Sequence, residues 1–521
     1  MSSHSGTLVD EEKGVPDAND TVSTTRSESV EDLYIDPAAE KELVWKIDLT
    51  ILPLGAWPTL CPSSSCANGH TKAILVYWVS YLDRANIANA KAAGMVASLG
   101  LGTYDFNTGA CVYFVVYIFC EPFAGLAVKR WGFILIPISV LGFAVITLAT
   151  AWIKNSGQFY AVRCLLGAVE AFSMPGLSYV LSRYYRRHEL TARFGIFMLV
   201  AIGCSQGFGG LLSGALVDVG SIGNVKGWSL IFLVEGIITI GIAIFLIIFF
   251  PSDPTTTRMF TPEQRKLALM RLQADAPPGE DTKEPISWAG IKMSFLNLNM
   301  AAYCYMYIAN CMSSQGLAIF TTSILQVIYP DASTKRIQYL SVGPQVVGAF
   351  IGILGCFAAS RLQRQGYIVL AGAGLCIFAY IILISTAQQA SSSYASLRYF
   401  ALFIVTGGGY IYAPCVLGWA MSNASPDTTR SLTGALVTGL GSIGSIASTW
   451  SYIATDAHTG FRVGNALNIG MNVGTVLVCL GLMAYQKKEN RLREGGGRDY
   501  RLMKPHPEKL GRHHPAYRYK I

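Results

Sequence analysis

Long apolar runs alternate with short polar breaks along this chain. Runs long enough to cross about 30 Å of hydrocarbon recur at 73–97, 107–128, 133–152, 157–181, 192–217, 227–250, 296–328, 338–360, 367–387, 396–422, 431–452 and 462–485. The seventh is long and interrupted by Ser313, Ser314, Gln315 and Gly316, which predicts a bend. The longest internal polar segment, 251–295, divides the runs six and six. Within it Thr261 precedes Pro262 and Glu263, an N-cap followed by proline at the first helical position, and an amphipathic stretch continues through Gln273. The pattern predicts an all-α membrane protein with twelve transmembrane helices in two six-helix bundles. Residues 1–42 are expected as a disordered tail, 43–250 and 296–485 as the bundles, 251–295 as a central loop and 486–521 as a basic tail.

Composition agrees with a lipid-facing surface. Only 14% of residues are charged and 52% are hydrophobic, against roughly 25% charged in soluble domains. The net charge of +8 does not point to nucleic acid, because Lys and Arg sit between apolar runs and in the tails, as membrane topology demands. The twelve cysteines are mostly single residues inside apolar runs, such as Cys111, Cys164, Cys204 and Cys479, where they act as small hydrophobes. The first forty residues are polar and acidic and carry no cleavable signal pattern.

Orientation follows from the cations. Lys129, Arg130, Arg183, Arg186, Arg187, Arg361, Arg364 and Arg430 all fall in alternate loops, on the side of the central loop and the basic tail. Both termini are therefore expected in the cytoplasm. Glycine-rich seams in the fifth span (Gly203 to Gly214) and the eleventh (Gly439 to Gly444) suit close helix packing and fit two parallel six-helix repeats.

Ionisable groups at membrane depth cost roughly 2.5–3.5 kcal/mol each on insertion scales and persist where paired or facing a polar cavity. Asp83 and Arg84 are adjacent in the first span and point about 100° apart. A guanidinium at Arg84 suits capture of a carboxylate, with a structural ion pair as the plainer alternative. In the fourth span Arg163, Gly167 and Glu170 share one face at i, i+4, i+7. Arg163 and Glu170 are about 10 Å apart along the axis, with room for a ligand or water between them. Desolvation penalises a charged carboxylate, so Glu170 is a candidate to bind and release a proton. Glu121, before Pro122, and Glu235 read as structural. Asn310, Gln315, Gln345, Tyr410, Tyr412 and Trp419 are polar or aromatic groups in second-half spans; packing is their usual role, and Gln315 and Tyr412 are carried forward as substrate contacts. No metal-ligand spacing, enzyme signature or phosphate-cradling Gly-Lys-Ser/Thr motif is present, so neither a metal nor another cofactor is expected. Cys61 and Cys66 lack the partners that a metal clip would need.

These residues resemble a known family. Gly125-Leu-Ala-Val-Lys129-Arg130-Trp-Gly132 is similar to the loop 2–3 motif of the major facilitator superfamily. The stretch from Arg163 to Gly176 resembles the fourth helix of its anion:cation symporter branch, especially fungal allantoate-permease-like carriers. Tyr184 to Glu189, Arg193, Gly209-Gly210, Gly227-Trp228 and the Leu82-Asp83-Arg84-Ala-Asn86 run continue the likeness, which covers about residues 43–485. The resemblance implies alternating access in a monomer at the plasma membrane. It implies proton-coupled uptake of a small organic anion or vitamin-like acid, such as allantoate, nicotinate, pantothenate or biotin. It makes Arg84 an anion-binding candidate and Glu170 the proton-coupling candidate, with Arg163 positioning or gating between them, and it marks Lys129, Arg130 and Arg361 as gating candidates. Taken with the reading of the residues themselves, the substrate-binding candidates are Arg84, Asn86, Arg163, Gln315 and Tyr412, and Asp83 joins Glu170 as a proton-coupling candidate. Two departures bear on the gate: Lys129 replaces the acidic residue of the loop motif, and Ser360-Arg361 stands where an Asp-Arg pair is usual. A transporter-shaped nutrient sensor is the alternative, but such sensors often carry long cytoplasmic tails and these are modest. A membrane-embedded enzyme lacks a catalytic cluster.

One stretch departs from the resemblance altogether. Thirty positions separate Pro53 from Asp83, where about a dozen are expected. Removing 58–75 would join Ile51–Trp57 to Val76–Asp83 as one apolar helix, and the removed piece is polar and turn-prone. We read 58–75 as a retained intron or a gene-prediction error; otherwise the first helix starts near Lys72. Sequencing the transcript is expected to show a dominant message without these codons.

Overall fold

The computed structural model describes residues 36–51, 72–102, 104–186, 189–219, 221–222, 225–275, 288–387, 394–425, 427–452, 456, 459–503 and 512–521. Most of the anomalous stretch, like the tail before residue 36, lies outside them. The chain is helical almost throughout. α1 (Pro37–Ile51) precedes α2 (Lys72–Ala92), which begins where the first span must start if the anomalous stretch is retained. A short α3 (Met95–Ser98) leads to α4 (Asp105–Trp131) and α5 (Leu135–Thr150). The fourth span is two helices, α6 (Ser156–Glu170) and α7 (Ser173–Tyr184). Pro175 falls in the first turn of α7, where a missing N–H costs little. α8 (Leu190–Val219), the two-residue strands β1 (Ser221–Ile222) and β2 (Val225–Lys226), and α9 (Ser229–Phe249) complete the first half.

The central segment forms α10 (Pro262–Asp275) and α11 (Trp288–Phe295). α10 opens with a reciprocal box: Gln264 N–H donates to Thr261 Oγ1 at 3.2 Å and Thr261 N–H to Gln264 Oε1 at 3.4 Å. The second half is α12 (Leu298–Ile328), α13 (Thr334–Leu362), α14 (Gln365–Ser385), α15 (Ala395–Ser422), α16 (Asp427–Ser451) and α17 (Arg462–Glu494). α12 is one unbroken helix through Ser313–Gly316, so the interruption expected there does not end the helix. Asn155, Asn297 and Ser333 side chains cap α6, α12 and α13. Among the described residues, counting α6 and α7 as one span and including the shorter or less apolar α2 and α5, twelve helices fit membrane crossings.

Each half packs within itself through pairs such as α2–α8, α4–α6 and α5–α9, or α12–α16, α13–α15 and α14–α17. The halves meet along two seams, α4 against α16 and α8 against α13. Gly439 of α16 makes one seam possible, since a Cβ there would lie 2.6 Å from Glu121 Oε2. Within the second half, a Cβ on Gly444 would overlap the Ile308 carbonyl of α12. The glycines of α8 are less uniform. Gly203 faces Ala349 and Gly209 faces Asn86, but nothing lies within 4 Å of a Cβ on Gly207. Phe119, Phe123, Ile248, Phe350, Leu354 and Leu477 face outward, as a hydrocarbon solvent requires.

Both described ends of the chain fold onto one face of the bundle, here termed the terminal face. Pro37–Glu42, expected as tail, form the first turns of α1, because Glu40 is held by Arg186 and Arg271 at 2.8 Å each. Asp48 pairs with Arg193 at 2.9 Å. The basic segment after the last span also returns. The Lys520 carbonyl accepts from Trp419 Nε1 at 2.7 Å and from Asn423 Nδ2 at 2.8 Å. Tyr517 and Tyr519 are buried beside the Arg493 guanidinium. Gly444→Val is expected to overpack the α12–α16 contact and destabilise the fold by about 1–3 kcal/mol or more, read as a lower melting temperature in detergent.

Candidate functional site

Asp83 and Arg84, adjacent on α2, serve different neighbours because successive helical residues diverge by about 100°. Arg84 turns toward the seam between the halves. Its Nη2 lies 2.8 Å from Glu170 Oε1 and its Nε 3.0 Å from the same oxygen. Tyr113 O–H donates to Glu170 Oε2 at 2.5 Å, and Ser80 O–H donates to Oε1. Glu170 therefore holds four donor contacts on two oxygens and is satisfied as a carboxylate. The Arg84 side chain stays 16% exposed and lies near three tyrosine rings, 5.8 Å from Tyr81, 5.8 Å from Tyr113 and 5.3 Å from Tyr117.

Asp83 faces the other way, into the first bundle. Arg163 Nη1 is 3.5 Å from Asp83 Oδ2, and Thr147 O–H donates to Oδ1 at 3.0 Å. Glu235 of α9 stands beside this pair and beside Asn86, yet neither of its oxygens has a donor at hydrogen-bond geometry. All five side chains are nearly or fully buried. Arg163 and Glu170, expected to share a ligand, thus belong to separate clusters. Each is close to an α2 residue of opposite charge, and those residues diverge.

A cavity of about 50 Å³ lies between the halves. Tyr81, Arg84 and Tyr117 line it from the first half, and Asn310, Gln315, Tyr410 and Thr438 from the second. It has room for a few waters and is far smaller than the 300 Å³ or more of a typical ligand site. Gln315 bridges the halves, donating from Nε2 to Tyr81 OH at 3.3 Å. Tyr410 O–H donates to Gln345 Oε1.

Tyr412, expected at the substrate, is not among the lining residues. It is buried in the second bundle and donates to Asn472 Oδ1 at 3.1 Å. Two residues along a helix point about 200° apart, so Tyr410 faces the cavity and Tyr412 does not. Asn86 and Arg163 likewise lie away from the cavity, in the Asp83 cluster. Asp83 is ion-paired there and does not face the seam.

The α4–α16 seam is closed along its length. Lys129 Nζ donates to Thr428 Oγ1 at 3.0 Å near the terminal face. Gly125 faces the Ser431 carbonyl and Ala435, and Glu121 meets Thr438. At the far end Asn107 Nδ2 donates to the Thr449 carbonyl at 3.4 Å, and Tyr104 approaches Trp450 at 6.0 Å. Of the three gating candidates, Lys129 reaches across the seam, whereas Arg130 and Arg361 are on the surface, Arg130 over the Trp131 ring. Sequence reading missed Ser80, Tyr81, Tyr113 and Tyr117. The signal was there: Tyr113, Tyr117 and Glu121 recur every four residues on one face of α4, as Ser80 and Arg84 do on α2.

The Major Facilitator Superfamily profile matches residues 73–449. The chain is 28% identical over 510 residues to the MFS transporter prlL of Fungal sp. (strain NRRL 50135), covering 95% of this chain and 94% of that one. It is 24% identical over 484 residues to the high-affinity nicotinic acid transporter of Saccharomyces cerevisiae, covering 92% and 85%. Its fold matches the proton:xylose symporter XylE bound to 6-bromo-6-deoxy-D-glucose, with a TM-score of 0.60 at 13% identity, over 77% of this chain and 93% of that one.

The buried Asp83–Arg163 pair generates a stability prediction. Arg163→Leu leaves two carboxylates without their cation and is expected to cost about 3–5 kcal/mol, seen as lost monodisperse protein on size-exclusion chromatography. Adding Asp83→Asn and Glu235→Gln is expected to restore part of the yield.

Proposed function

The chain belongs to the major facilitator superfamily, and on that premise we propose that it is a proton-coupled carrier of a small organic anion. The observation that carries this reading is the Arg84–Glu170 pair at the edge of the central cavity. A substrate carboxylate competes with Glu170 for the guanidinium, whose fork geometry suits bidentate capture. Once displaced, Glu170 is a buried carboxylate without its cation, and taking up a proton removes that cost. Tyr113 and Ser80 remain to bind the neutral acid. Anion and proton thereby occupy the site together, which is symport. Release of the proton restores the ion pair and expels the anion.

The tyrosines around Arg84 offer flat apolar walls beside the cation, which favours a compact aromatic carboxylate of the nicotinate kind. Similarity to a protein named as a nicotinic acid transporter supports that choice. The seam closed at both ends and the small cavity correspond to an occluded stage of alternating access, from which substrate entry requires α4 and α16 to part. In this reading the terminal face is cytoplasmic and the protein resides in the plasma membrane as a monomer.

Uptake of radiolabelled nicotinate, allantoate, pantothenate and biotin into proteoliposomes tests the proposal. An inward proton gradient is expected to drive accumulation of at least one. Arg84→Lys keeps the charge but loses the fork, and is expected to lower uptake about 10- to 100-fold, the equivalent of one hydrogen bond to a charged group. Glu170→Gln is expected to abolish gradient-driven accumulation while leaving substrate exchange intact. Full gradient-driven uptake by this variant would sink the proton assignment, and tight binding without uptake would turn the reading into a sensor.

A further inference from the structure

Glu121 is a second buried carboxyl on the cavity side of the seam, and its bonding differs from that of Glu170. It is fully buried where α4 meets α16. Its Oε2 has no hydrogen-bond partner. Its Oε1 lies within hydrogen-bond distance of Thr438 Oγ1, and Tyr117 OH is at the outer limit, 3.5 Å. Thr438 Oγ1 is also 2.8 Å from the Gly434 carbonyl.

A fully buried carboxyl with one oxygen unpartnered is held at least cost in its neutral form. In that form its O–H can donate to Thr438 Oγ1 while the threonine hydroxyl donates to the Gly434 carbonyl, a second bond to an acceptor that the helix already serves. Charge counting gives the same answer. The groups facing Glu121 are Tyr117 on its own helix, Arg84 of α2, Tyr307 and Cys311 of α12, and Thr438 of α16. Arg84 is the only cation among these described groups, and it is already bound to Glu170 of α6.

Glu121 is also placed where movement must occur. Tyr117 and Thr438 line the cavity, and Gly125–Ser431 and Lys129–Thr428 follow toward the terminal face. Parting of the seam on that side admits water to Glu121, and closure removes it.

Resting on the carrier reading above, we propose that Glu121 is a proton-controlled latch: the terminal-face half of the α4–α16 seam closes only with a proton on this carboxyl. The carboxyl gains its proton from the terminal-face solvent before closure and returns it there after opening. The latch proton therefore sets the pH dependence of turnover without adding to the protons carried across.

Hydrogen–deuterium exchange of residues 125–131 and 428–435, in purified protein in lipid nanodiscs without substrate, tests this. After correction for intrinsic exchange, the wild type is expected to be about tenfold more protected near pH 5.5 than near pH 8, a shift of about one pH unit of linkage. Glu121→Gln, neutral and of equal size, is expected to be protected at both. Glu121→Met, neutral and of similar length, gives the same result if the amide variant does not fold. A wild-type seam insensitive to pH, or a neutral variant that keeps the wild-type dependence, overturns the latch. Failure of substrate uptake would overturn the carrier reading and leave this outcome untouched.

Discussion

The ion pair between Arg84 and Glu170 organises the centre of this protein. A lone charge in a medium of low dielectric is costly, so a guanidinium on the first span and a carboxylate on the fourth must find each other. Their meeting at 2.8 Å brings Tyr113 and Ser80 into one hydrogen-bonded group. It also leaves a cation at the rim of the cavity. A pair whose guanidinium stays partly exposed at a cavity differs from one sealed in a core.

The sealed pair is also present, and the contrast is instructive. Asp83 and Arg163 pair a carboxylate with a guanidinium on the same two spans, with the charges exchanged, yet face the interior of the first bundle with Glu235 beside them. One α2 dipeptide thus feeds both a sealed cluster and the one proposed here as the substrate site. The divergence of neighbouring helical side chains is sufficient to separate them. Along the α4–α16 seam the same logic continues in steps of four residues, from Tyr113 through Tyr117 and Glu121 to Gly125 and Lys129. From Tyr117 onward each step either borders the cavity or touches the opposite half, so parting of the halves there must break these contacts.

The chain ends reinforce one face of the bundle. Glu40 and Asp48 tie α1 to arginines at the ends of the fourth and fifth spans and of α10, and the last residues return to Trp419 and Asn423 at the end of α15. These contacts are polar and lie at helix ends, where backbone and charged groups need partners. They tie both described ends of the chain to the face where the seam ends at Lys129 and Thr428.

Much of this was legible without a structure. Apolar runs too long for a soluble core require helices in lipid, because every backbone group must be satisfied internally. The polar interval at 251–295 imposes the six-plus-six division. Arg84 and Glu170 stand out because ionisable groups at membrane depth are rare. Partner identity was not legible. The face shared by Arg163, Gly167 and Glu170 is real, but helical spacing says nothing about which neighbour each side chain meets. Tertiary packing gave Arg163 to Asp83, Glu170 to Arg84, and turned Tyr412 away while Tyr410 lines the cavity. It also placed Glu121 at the junction of the halves. The sequence alone determined that charges lie within the membrane, because their cost is local. Only the tertiary structure decided which groups each charge meets, because those lie tens to hundreds of residues away.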